Sequence, residues 1–107
     1  MIRSLDLEVS IYRDRVQLTR RGGDGFVDQP AQFPFSTDAS VVAHARHLED
    51  TLVRAMRQLM AHGGFSLLRP IAHVVRCDGC DDERDLAIIE AALREIGMAE
   101  IVFELAD

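Results

Sequence analysis

The sequence contains no lysine, and all twelve of its basic residues are arginines. Eighteen acidic residues outnumber them and give a formal net charge of −6. A surface that binds nucleic acid needs a cluster of basic residues on one face of the protein. The acidic balance of this chain therefore argues against a nucleic-acid partner.

Long apolar runs are also missing. No stretch approaches the roughly 18 residues that a membrane-spanning helix needs, and residues 1–6 lack the apolar block of a secretory signal peptide. We therefore expect no membrane span and a cytoplasmic location. The only two cysteines are Cys77 and Cys80, and in that compartment a pair of cysteines is more often two free thiols than a structural disulfide.

The length and composition are those of one globular domain. The chain has 107 residues, of which 48% are hydrophobic and 28% charged, enough to bury an ordinary core but too few for two domains. We therefore predict a single domain over residues 1–107.

Period-two alternation predicts strands in the first third of the chain. Apolar residues alternate with polar ones at Leu5, Leu7, Val9 and Ile11, and again, after a polar break, at Val16 and Leu18. Two such runs in succession predict a β-hairpin. A third strand fits between residues 26 and 35, where two prolines would confine it to an edge of the sheet.

Two later segments have apolar residues at three- and four-residue spacing, which predicts two amphipathic helices. The first would run from about Val41 to Leu59, and the second would begin at residues 81–83 and end at Gly97. Candidates for the N-cap of the first helix are Ser36, Thr37, Asp38 and Ser40, and Gly63-Gly64 would end it.

The strands that follow each helix complete the predicted fold. Residues 71–75 are almost continuously apolar, which favours a central strand buried on both faces, and residues 101–105 form the last strand. The fold class is α/β. We predict a mixed sheet of about five strands, the first two or three antiparallel and the last two parallel, with two main helices.

Three stretches resemble motifs of the actin-like ATPase superfamily and occur in the same order. Within that superfamily they are most similar to motifs of the bacterial rod-shape-determining MreB family. Leu5-Asp6-Leu7 is similar to Ile-Asp-Leu-Gly-Thr of the first phosphate loop, and Asp28-Gln29-Pro30 to Asn-Glu-Pro at the end of the third strand. The third stretch comprises Arg69-Pro70, Gly79, Glu83-Arg84, Glu90-Ala91-Ala92-Leu93 and Ala99-Glu100-Ile101. The resemblance implies a ribonuclease H-like fold, as in the first subdomain of these ATPases, and an association with actin-like filaments.

The first phosphate loop departs from the family pattern. Glu8 stands where the family has glycine, and its bulk and negative charge oppose a bound phosphate. Asp6 matches the acid that helps to position magnesium, but the family's second phosphate loop and adenosine-binding glycines have no counterpart before the chain ends at Asp107. We therefore interpret Asp6 and Glu8 as vestigial phosphate-loop positions and expect no cofactor and no catalysis. The predicted function is that of a truncated, non-catalytic subdomain that forms a homodimer or binds a filament protein, in cell-shape determination.

The Cys-x-x-Cys pair provides an alternative function, that of a small redox or metal-binding module. Cys77 and Cys80 lie at a strand-to-helix turn, as such pairs do in thioredoxin-like proteins. Neighbouring acids, among them Asp78, disfavour the reactive thiolate. As zinc ligands the pair supplies two of the four that are needed, and nothing in the sequence brings His44 and His47 to the turn.

The remaining candidate residues are acids and histidines. Asp6 and Glu8 share one face of the first strand and could serve a metal-dependent nuclease, although an acidic chain is a poor match to a nucleic-acid substrate. His73 lies in the middle of a strand, where we expect it to be packed or hydrogen-bonded. His62 falls near the end of the first helix, where its charge would favour the helix dipole.

Overall fold

The structure, a computed structural model, describes residues 4–61, 69–80 and 82–105. His62, Gly63-Gly64 and Asp81, to which the sequence assigned roles at helix ends, lie outside the described residues. The elements follow the predicted order. They are β1 (Ser4–Tyr12), β2 (Arg15–Arg20), β3 (Phe26–Pro30), α1 (Ala45–Met60), β4 (Arg69–Cys77), α2 (Glu83–Glu95) and β5 (Glu100–Phe103).

The five strands form one mixed sheet in the order β3-β2-β1-β4-β5. β2 pairs antiparallel with both β1 and β3, while β4 pairs parallel with both β1 and β5. The prediction of a mixed sheet, antiparallel at one end and parallel at the other, is confirmed. β3 is an edge strand and ends at Pro30, as expected of a residue that cannot donate to a further strand.

One face of the sheet holds the hydrophobic core. Leu5, Leu7, Val9 and Ile11 of β1 are all buried, and the register places buried residues of the other strands beside them. α1 and α2 contact each other and contribute their buried residues to the same single core. The helices therefore cover one face, and no helix in the described part of the chain covers the other, which we call the open face.

The central strand β4 differs from the prediction on its second face. Ala72 and Val74 are fully buried against the core, whereas Ile71 and Val75 on the open side are only half-buried. β4 is central in the sheet, as predicted, but it is not buried on both faces. Its pairing with β1 also shifts between Val9 and Ser10, and this irregularity places Cys77 beside Ile11, on the core side.

The first helix begins later than the sequence predicted. α1 starts at Ala45, after His44, and no side chain caps it. The predicted capping hydroxyls serve the preceding loop instead: Thr37 Oγ1 accepts the N–H groups of residues 39 and 40, and Ser40 Oγ accepts that of Val42. Such local hydrogen bonds compete with helix formation, so residues 36–43 stay irregular although Val41 and Val42 are buried.

Candidate functional site

A row of charged side chains crosses the open face near the middle of the sheet. It comprises Asp6 and Glu8 on β1, Arg21 after β2, His73 on β4 and Glu104 after β5. The period-two alternation of β1 determines this placement, because Asp6 and Glu8 point away from the core wherever Leu5 and Leu7 point into it. We call these five residues the charged row.

His73 is the centre of the charged row. Its Nε2 lies 2.9 Å from Asp6 Oδ1 and its Nδ1 lies 2.7 Å from Glu104 Oε2, both within hydrogen-bond distance. An ionised carboxylate can only accept, so a carboxylate beside each ring nitrogen favours the doubly protonated imidazolium. The hydrogen bond to Asp6, followed by that to Glu104, raises the pKa of His73 above its ordinary value, against the effects of burial and of the nearby Arg21 charge.

The two carboxylates respond in the opposite direction. The hydrogen bond from His73, and a second one from Ser4 Oγ at 2.8 Å, lower the pKa of Asp6. The hydrogen bond from Arg21, and then that from His73, lower the pKa of Glu104. Both groups are therefore held in their charged form.

Arg21 joins the row to the antiparallel half of the sheet. Its guanidinium donates to Glu104 at 2.8 Å and to Glu8 at 3.1 Å. One of its nitrogens also lies 3.2 Å from His73 Nδ1, a contact between two cations that the surrounding carboxylates offset. Three carboxylates thus enclose two cations, and each cation contacts two of the carboxylates.

The predicted phosphate-loop residues lie within a strand. Asp6 and Glu8 belong to β1, and the β1–β2 turn comes later, at residues 13–14. Both carboxylates are engaged, Asp6 with His73 and Glu8 with Arg21. Their role as vestigial phosphate-loop positions remains a prediction. In the described part of the chain no group of three His, Cys, Asp or Glu side chains is placed to hold a metal ion, so the nuclease hypothesis gains no support.

The two cysteines form a disulfide, which corrects the expectation of free thiols. Cys77 ends β4, and its Cα lies 5.5 Å from that of Cys80, a separation that a disulfide can bridge. Gly79 makes this possible, since it adopts a φ of +91° that other residues rarely take and so reverses the chain between the two cysteines. Bonded to each other, Cys77 and Cys80 present no thiolate to a metal ion.

The histidines considered as further zinc ligands have other contacts. The rings of His44 and His47 lie 5.4 Å apart, and that of His47 lies 5.7 Å from Phe33. His47 Nδ1 is also 2.9 Å from the carbonyl oxygen of Pro34. These contacts join the start of α1 to the loop that precedes it.

Comparison with solved structures finds a similar fold. The crystal structure of MreB5 of Spiroplasma citri bound to ADP superposes with a TM-score of 0.69 over 95% of this chain, at 10% sequence identity. The chain shares the fold of the corresponding part of MreB5. It spans 38% of the length of the MreB5 chain, and at this identity the likeness concerns the fold alone. No protein-family model matches the sequence, and no curated protein matches it.

The resemblance to the actin-like superfamily is thus confirmed at the level of the fold. The described helices include none with the length and apolar character needed to cross a membrane. Within this actin-like sheet, Arg21 and Glu104 are the site residues that sequence reasoning missed. The sequence indicated no role for Arg21 and placed Glu104 only within the last strand, and it is the folded sheet that brings both to His73.

Proposed function

We propose that this chain acts by association and not by catalysis, and that it pairs through the open face of its sheet with a second copy or with an actin-like filament protein. The observation that carries the proposal is a sheet with parallel strands that the described helices cover on one face only. Parallel strands occur almost always with both faces covered. The uncovered face is therefore the natural place for a partner.

The residues on the open face suit such an interface. Ile71 and Val75 are half-buried, and Val102 on the edge strand β5 is 40% exposed. The pairing of Thr19 with Phe26 places Phe26, which is also exposed, on the same face at the opposite edge. Apolar residues near both edges thus flank the charged row, in the arrangement of an interface that combines apolar contact with polar specificity.

The partners that we propose belong to an actin-like filament system, with cell-shape determination in the cytoplasm as the process. The fold similarity to MreB5 supports this choice. Catalysis is not part of the proposal, because the resemblance implies that Glu8 replaces the phosphate-loop glycine, and the carboxylate of Glu8 is paired with Arg21. Calorimetry with Mg-ATP tests the proposal that the chain is not catalytic, and micromolar binding of the nucleotide would contradict it.

Light scattering after size exclusion tests the association. We expect the wild-type chain to form dimers as its concentration rises, and Val102→Glu to remain monomeric. Met60→Glu is the matched control, since Met60 is 41% exposed but lies at the end of α1, away from the open face. Co-sedimentation with filaments of an MreB protein tests the second partner. A chain that stays monomeric at high concentration and does not sediment with filaments would refute the proposal.

A further inference from the structure

The disulfide lies beside a cleft at the ends of the parallel strands. The cleft has a volume of about 420 Å³ and is lined by Val75, Arg76, Cys77, Asp78, Cys80 and Leu105. Both cysteines are half-buried and pack against the edge of the core. The disulfide is therefore part of the fold, and an attacking thiol can also approach it through the cleft.

We propose that Cys77 and Cys80 form a reversible redox site, which a dithiol reductant opens by thiol–disulfide exchange at this cleft. One thiolate of the reductant attacks one sulfur of the disulfide, which gives a mixed disulfide and releases the other cysteine as a thiolate that takes up a proton. The second thiol of the reductant then displaces the remaining cysteine as its thiol. The chain gains two electrons and two protons, and the dithiol becomes a disulfide.

The charges around the turn determine the direction of this exchange. A cysteine pair that oxidises other proteins needs a stabilised thiolate, as a free helix N-terminus or a nearby cation provides. Here Asp82 caps α2 and accepts the N–H groups of Arg84 at 3.0 Å and Asp85 at 3.1 Å. Asp78 lines the cleft and Glu83 follows the cap residue, while Arg76, which also lines the cleft, supplies an opposing positive charge. The acids outnumber this arginine and disfavour the thiolates, so the pair favours the disulfide form. Only a strongly reducing dithiol should open it, and the pair is poorly suited to oxidise a weaker one.

Opening the disulfide would release a turn that joins three parts of the fold. The Asp78 N–H donates to Ile11 O at the end of β1 at 2.8 Å. Gly79 packs against Val41, and Ser40 Oγ donates to Asp85 Oδ1 of α2 at 2.8 Å. The disulfide is the only covalent cross-link in the described part of this turn, so its reduction would loosen the start of α2 and the loop at residues 37–42 together.

The first experiment measures the redox state of the native protein. The chain is incubated with dithiothreitol, or with thioredoxin and its reductase. Its free thiols are then alkylated and counted from the mass measured by mass spectrometry. We expect reduction of the disulfide to two thiols without unfolding, and full reoxidation under mild oxidation once the reductant is removed. Faster reduction by thioredoxin at equal dithiol concentration identifies a protein reductant, and faster reduction by dithiothreitol identifies a small one. Thiols that stay free under mild oxidation, or a disulfide that is reduced only in urea, would overturn the proposal.

The second experiment locates the conformational response. Hydrogen exchange of the reduced protein should be faster at residues 37–42 and 78–85 than in the oxidised protein, with the β2–β3 hairpin unchanged as the internal control. Cys77→Ser/Cys80→Ser should reproduce the reduced pattern and should not respond to either reductant. Equal exchange in both redox states would show that the disulfide controls no motion. None of these measurements depends on oligomeric state, so their outcome is separate from that of the association test.

Discussion

Substitution of His73 tests whether the charged row stabilises the folded chain. We expect His73→Gln to lower the free energy of unfolding at pH 5.5, because a neutral amide cannot form two charge-assisted hydrogen bonds to Asp6 and Glu104. A sheltered hydrogen bond to a charged group contributes about 1.5–3 kcal/mol, and exposed ion pairs contribute about 0–1 kcal/mol. The His73 side chain is 12% exposed but its two acceptors are 33% and 37% exposed. The combined loss should thus be about 1 kcal/mol.

The pH dependence of this loss has a definite sign. The pKa of His73 is raised above 6.5 in the folded chain, so its contribution is fully present below the unfolded pKa and disappears as pH rises through the folded pKa. The pKa values of Asp6 and Glu104 are lowered from 3.8 and 4.5, so their contribution is present above those values and is lost as pH falls through the folded ones. The row should contribute most between pH 4.5 and 6.5.

Urea denaturation at pH 5.5 and at pH 9 measures the effect, with His44→Gln as the control because His44 is exposed and has no carboxylate among its described contacts. The difference between wild type and His73→Gln should be larger at pH 5.5, and 1 M salt should reduce it by screening. A difference that is the same at both pH values, or one that His44→Gln reproduces, would refute the assignment of an imidazolium to this position.

Three further substitutions test how the loops are held, each by urea denaturation. Phe35→Ala should cost about 3–5 kcal/mol, because Phe35 is fully buried although it lies between β3 and α1; the same change at exposed Phe33 should cost far less. Asp14→Ala should cost about 2 kcal/mol, because Asp14 Oδ1 accepts the N–H groups of Phe35 and Ser36 at 2.9 and 2.8 Å and the residue adopts a φ of 53°. Asp14→Asn should retain much of this, since asparagine tolerates that backbone conformation, and equal losses would contradict the explanation. Gly79→Ala should destabilise by about 1–2 kcal/mol more than Gly22→Ala: both glycines have positive φ, but a Cβ at residue 79 would lie 2.8 Å from Val41, and one at residue 22 would meet nothing within 4 Å.

Local sequence patterns predicted the strands and helices that depend on residues close to each other in the sequence. Alternation located β1 and β2, and three- and four-residue spacing located both helices. The end of α2 is the clearest case: Gly97 takes a φ of +107°, and the N–H of Met98 folds back to the carbonyl of Leu93 at 3.0 Å, as predicted for a helix that ends at glycine.

The features that the sequence could not predict depend on distant partners. His73 bonds to Asp6 across 67 residues, and Arg21 bonds to Glu104 across 83. No periodicity within one strand indicates which strand will lie beside it, so the charged row emerges only from the order of the strands. The predicted start of α1 was wrong for a related reason. The hydroxyls of Thr37 and Ser40 fit the pattern of helix caps, but they accept hydrogen bonds within the preceding loop.

The disulfide and the charged row should act independently, although both depend on β4. Cys77 lies four positions after His73, about 13 Å along a strand at roughly 3.3 Å per residue. The shift in pairing after Val9 places Cys77 on the core side, while His73 lies on the open face. Substitutions this far apart without shared partners add to within about 0.5 kcal/mol. The stability losses of His73→Gln and Cys77→Ser/Cys80→Ser at pH 5.5 should therefore sum in the triple variant. A coupling above about 1 kcal/mol would show that the strand transmits the redox state of the turn to the open face, and association would then depend on the disulfide.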